Sequence, residues 1–138
     1  MNSEKKTNET NLKTILSTLW IVVMLNMIFA DILTLYIPEF LQEILTESTP
    51  VQITQELMLA MAFIIEIPIV MIFLSRVLKY KANRWVNIIA SVITILFVVI
   101  GGSLTLHYIF FAAIEVLCLS LIIWYAWKWP KQEVSPKM

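Results

Sequence analysis

Between Lys13 and Arg76, and again between Arg84 and Lys128, the chain contains no lysine or arginine. Any carboxylate inside those two tracts therefore has no basic neighbour along the chain. Cysteine is nearly absent as well. Cys118 stands alone, so no internal disulfide can form, and no CxxC pair or Cys/His cluster marks a metal site. With one histidine, His107, and two glycines, Gly101 and Gly102, there is no Ser/His/Asp or Cys/His arrangement and no phosphate-cradling loop. Hydrolase, kinase and metalloenzyme chemistry fit poorly, and nothing names a cofactor. Charge of either sign is scarce, at 14% of residues with a net of zero, which gives no reason to expect nucleic-acid binding.

What fills the chain instead is apolar. Of 138 residues 59% are hydrophobic, and the mean hydropathy is +0.82. A soluble domain of this size could not hide so much apolar surface, so the class is integral membrane protein. Four apolar runs, residues 14–37, 51–78, 86–106 and 108–127, are each long enough to cross a hydrocarbon core needing about 20 helical residues. Without strand-like alternation they predict helices. The expected fold is an all-α membrane four-helix bundle: a disordered cytoplasmic tail over residues 1–11, one transmembrane domain over 12–130, and a second cytoplasmic tail over 131–138. A signal peptide is the competing reading of the first run. Its apolar stretch continues past Asp31, and Ile28 is too bulky for the position before a cleavage point at Ala30, so an uncleaved helix is expected.

Charge then orients the runs. All ten cationic residues precede the first run, surround the connection between the second and third, or follow the fourth. The opposite side carries Glu39, Glu43 and Glu47. By the positive-inside rule both termini are cytoplasmic in a multi-pass protein of the cell (inner) membrane. Trp85, Trp127, Trp129, Tyr80 and Tyr125 would form the cytoplasmic aromatic belt, and Tyr36 and Tyr108 the outer one. In "PEFLQEILTE" the apolar residues Phe40, Leu41, Ile44 and Leu45 share one helical face, which predicts a short amphipathic helix lying on the outer surface. Thr49, Pro50 and Gln52 then read as the capping box of the second span. In the third run, Asn87, Ser91, Thr94, Val98, Gly101 and Thr105 recur at three- and four-residue steps. This weakly polar stripe predicts close helix packing in lipid.

The acids within the runs carry the functional question. Glu66 lies 13 residues before Lys79, Glu115 lies 13 before Lys128, and Asn26 lies 13 after Lys13. At 1.5 Å per residue all three sit about 20 Å from the cationic border, with Asp31 about 8 Å further out and Glu56 and His107 near the outer rim. An ionised carboxyl facing lipid is costly, so Glu66 and Glu115 are expected to face the bundle interior or a wet cavity, with at least one of them protonated. Pro68 leaves the Ile64 carbonyl without its helical donor, and Ala62 and Ala112 leave room beside the acids. Candidate ligand-binding residues are Glu66, Glu115, Asp31, Asn26 and His107. Each has a plainer reading: a kink, a rim residue, or a hydrogen bond between helices.

The segments "LWIVVMLNMIFADIL", "EIPIVMIFLSRVLKYKANRW" and "GGSLTLHYIFFAAIEV" are similar to a domain-of-unknown-function family of small bacterial four-helix membrane proteins. In architecture alone the chain resembles DoxX-like proteins and sterol-isomerase-type ligand-binding bundles. The resemblance implies a four-helix inner-membrane protein and brings no catalytic residues. From the residues themselves, the preferred expectation is a protein that binds or transports a lipophilic or cationic small molecule, or protons, in an acidic intramembrane cavity. The rivals are a membrane enzyme using carboxylate acid/base chemistry on a lipophilic substrate, and a non-catalytic accessory subunit. Expected partners are the lipid bilayer, such a small molecule, and a second copy or another membrane protein.

Overall fold

The structure, a computed structural model, describes residues 2–129. Five helices follow in order: α1 (Asn2–Leu35), α2 (Pro38–Leu45), α3 (Gln55–Val77), α4 (Tyr80–Ile100) and α5 (Leu106–Lys128). Four of them are long and apolar enough to cross a membrane, and α2 is the short helix between the first two. The chain is a helical membrane protein of the expected class. The four spans form a ring in which α1 and α4 each pack against both α3 and α5. The pairs α1/α4 and α3/α5 lie across its diagonals and make no close backbone approach to each other.

Local chemistry sets the helix ends. Helix already runs through residues 2–11, where a disordered tail is expected. The Glu9–Lys13 ion pair (3.2 Å) and the back-bonds from Thr10 to Lys6 O and Thr14 to Thr10 O are all four-residue contacts that only a helix provides. The expected tail at 131–138 lies outside the described residues. α2 starts with Pro38 and Glu39 in its first turn and ends with Glu47 in the left-handed region (φ 53°). Glu47 N–H donates to Ile44 O and Ser48 N–H to Glu43 O, the bonding of a Schellman cap usually built on glycine. The expected capping box at Thr49 and Gln52 is not used. The N-cap of α3 is Thr54, whose hydroxyl accepts from Leu57 N. A helix begun at Pro50 would project about 7 Å further, whereas α3 as formed has 23 residues, the same as α5.

The core lies toward the end of the bundle that carries the cations. Leu16, Trp20 and Val23 of α1, Met71 of α3, Ala90 of α4, and Leu119 and Ile122 of α5 pack there. The small, weakly polar stripe of α4 is buried as its spacing predicts, through Asn87, Ser91, Thr94 and Val98. Small residues let backbones approach in lipid, where hydrophobic exclusion offers helices little reason to associate. Packing thins toward the acidic end. No residue of α3 is buried beyond Pro68 in that direction, and none of α5 beyond Glu115.

Candidate functional site

Two polar groupings occupy the bundle. The one nearer the cationic end ties three helices together. Asn87 Oδ1 accepts from Trp20 Nε1 (2.8 Å) and from Ser75 Oγ (3.1 Å), and Asn87 Nδ2 donates to Asn83 Oδ1 (2.6 Å). Asn83 Nδ2 in turn donates to Ser75 O (2.7 Å), a carbonyl left without a donor where α3 ends. Ser17 Oγ donates to Ile72 O and accepts from Arg76 Nε. Every member except Arg76 is buried, and each makes at least one hydrogen bond. A saturated network of this kind closes and rigidifies that end.

The second grouping lies between α1 and α5, toward the acidic end. Glu115 is 3% exposed, and its carboxyl makes no hydrogen bond or ion pair among the described residues. Asp31, exposed on α1, lies within electrostatic reach of it, and Tyr108 is within reach of both. Tyr108 OH donates to Val98 O (3.1 Å), which holds its ring across the end of α4. Further out, His107 Nε2 and Thr34 Oγ1 are 3.1 Å apart and bridge α5 to α1. Ser91 of α4, 11 residues from the start of its helix, is at the depth of Glu115 to within about 3 Å, and its hydroxyl is buried without a hydrogen-bond partner among the described residues. The described cations all lie at the other end, so none is available to neutralise Glu115.

The structure thus brings Glu115, Asp31 and His107 to one interhelical seam, but not Glu66. The expectation that Glu66 faces inward beside Glu115 is corrected on two counts. α3 and α5 are diagonal in the ring. Moreover, Pro68, Met71 and Ser75 are the buried positions of α3, and Glu66, two residues from Pro68, projects about 200° around the helix from it. Glu66 is accordingly exposed. Asn26 is half-buried and spends its amide on Val22 O of its own helix (2.7 Å). Glu56 lies exposed in the first turn of α3. Sequence reasoning missed Ser17, Trp20, Ser75 and Asn83, and at the seam Thr34 and Tyr108. The four-residue spacing of Asn83 and Asn87 inside an apolar helix was the available signal for the first group.

Chemically, the seam offers two carboxyls, a phenol and an imidazole on the looser side of a closed polar network. No group of three or more His, Cys, Asp or Glu gathers to hold a metal among the described residues. A surface depression along α5, lined by Ala113, Val116, Leu117, Ser120, Leu121 and Trp124, contains no titratable group and lies apart from these residues.

Residues 5–136 match a family described as "Family of unknown function (DUF6326)". Neither a curated protein nor a solved structure matches the chain.

Proposed function

Because the chain belongs to DUF6326, a family without an assigned function, we propose its function from the seam alone: it binds, and by extension transports, a lipophilic cation between α1 and α5. Glu115 supplies the charge that anchors the cation. Asp31 supplies a second carboxylate on the entry path, and His107 with Thr34 frames the outer rim. Asymmetric packing supports entry from the acidic end, with the Asn87 network as the closed floor. The single observation that carries this reading is Glu115, almost wholly buried near the middle of a span and with no hydrogen bond or ion pair among the described residues. A buried charge without a partner is strongly disfavoured, so the site is completed by a cation or a proton from outside the chain.

The test uses purified full-length protein in detergent and two probes of one chain length, a long-chain primary amine and the neutral alcohol. The amine should raise the melting temperature, and at a hundredfold excess over Kd a one-site ligand contributes about 2.7 kcal/mol. Glu115→Gln should remove most of that effect, Asp31→Asn should weaken it, and Glu43→Gln on α2 should leave it unchanged. Equal stabilisation by the alcohol, or a full response in Glu115→Gln, would reject the cation site.

A further inference from the structure

Glu66 is the central residue of α3, 11 residues and about 16 Å from either end of the helix. That depth puts its carboxyl beyond reach of headgroup water at either border. It makes no hydrogen bond or ion pair among the described residues, and it projects away from the buried face of its own helix. Leu59, Ala62, Val70, Phe73 and Val77 flank it at three- and four-residue steps, and all of them are exposed. They form one continuous seam along the whole span. α3 also carries fewer buried residues than α4 or α5. An exposed apolar face is ordinary for a membrane helix, but a carboxyl at its centre is not. Lipid offers that group no hydrogen bond, and the chain's own cations lie at a different depth.

We propose that this face is covered by a second copy of the chain, the two α3 helices meeting about a two-fold axis along the membrane normal with their Glu66 carboxyls paired. Three features favour a second copy over another occupant. A copy inserted in the same orientation presents its Glu66 at the identical depth, so the partner group needs no separate placement. A carboxyl can both give and take a hydrogen bond, so two that face each other satisfy one another between the helices, which lipid cannot do. Ala62, one turn from Glu66, allows the backbones to approach, and the larger Val70 and Phe73 pack on the other side of the pair. The seam is self-complementary because each residue meets its own counterpart or a near neighbour.

The experiment starts from full-length protein with Cys118→Ala, reconstituted in lipid vesicles. Ala62→Cys on the seam should cross-link to a dimer on mild oxidation. Leu117→Cys, exposed on α5 across the ring, should not. By dilution with single-molecule fluorescence, Glu66→Leu should raise the dimer dissociation constant about tenfold. Glu66→Gln, which can still donate and accept, should change it by less than about threefold. Three results would overturn the proposal: no cross-link from Ala62→Cys, equal cross-linking from Leu117→Cys, or dimerisation indifferent to Glu66→Leu. A monomeric chain that instead retains one stoichiometric basic membrane protein only while Glu66 is present would also overturn it, by identifying a different occupant. If Glu66→Leu fails to fold, the two cysteine variants with native Glu66 still decide. Because amine binding at Glu115 is read separately, failure of the dimer leaves the cation site standing, and the reverse also holds.

Discussion

The side-chain oxygen of Asn87 accepts from Trp20 on α1 and Ser75 on α3, while its amide stays on α4 with Asn83. A hydrogen bond between membrane helices contributes about 0.6 kcal/mol on average and up to about 1.7. Two donors turned toward one acceptor, with no water to replace it, belong at the upper end of that range. Asn87→Leu, which keeps the branched shape but makes no hydrogen bond, should therefore destabilise the protein by about 2 kcal/mol in reversible unfolding from mixed micelles. Adding Trp20→Phe should cost less in that background than in the native one, because the orphaned donor is already unpaired. Additive losses would mean that the Trp20–Asn87 bond contributes nothing. Individual residues were legible in the sequence only where their neighbours had contrast. On α4 the polar positions stand out from Ile, Val and Leu, and their stripe could be read. α3 is apolar on every side, so nothing around Glu66 marked an inner face until Pro68, Met71 and Ser75 were seen to be buried.

Helix ends follow a common device at two connections. A terminal carbonyl that the helix cannot satisfy is taken by a side chain from the next element: Ser75 O by Asn83, and Val98 O by Tyr108. The second depends on a glycine. A Cβ at Gly102 would come within 2.6 Å of the Tyr108 ring and 2.9 Å of Val98 O, so only glycine lets the ring lie there. Gly102→Ala should displace Tyr108 and lower stability by about 1–3 kcal/mol, and Tyr108→Phe, which loses only the hydroxyl bond, by about 1 kcal/mol. In a Tyr108→Ala background the Gly102→Ala penalty should shrink, as thermal melting of the four proteins would register. An unchanged penalty would place the clash on the Val98 carbonyl alone. Existence and number of the long elements were legible because the bilayer dictates their length. Their starts were not, since Thr49 and Thr54 both have capping chemistry, and only matching α3 to the span length separates them.

At the scale of the molecule, charge is segregated along the bundle axis. The described cations gather at the Arg76–Arg84 connection, the start of α1 and the end of α5, while Glu39, Glu43, Glu47 and Glu56 lie at the opposite end. Asymmetric packing follows the same axis, with the Asn87 network near the cations and the buried Glu115 on the looser side. From the positive-inside rule, which counts Lys and Arg in short connections, we propose that the cationic end is cytoplasmic and that α2 lies on the outer surface. In that orientation the proposed entry to the Glu115 seam is from outside. α2 should lie with Phe40 and Ile44, both half-buried, toward the bilayer and its glutamates toward water. With Cys118→Ala as background, Glu43→Cys should react with a membrane-impermeant maleimide in intact cells, and Lys81→Cys only after permeabilisation. Phe40→Cys should react more slowly than Glu43→Cys, because it shares the connection but not the water-facing side. Labelling of Lys81→Cys in intact cells with protection of Glu43→Cys would invert the topology and turn the seam toward the cytoplasm. Equal rates at Phe40→Cys and Glu43→Cys would leave the orientation standing but remove α2 from the surface.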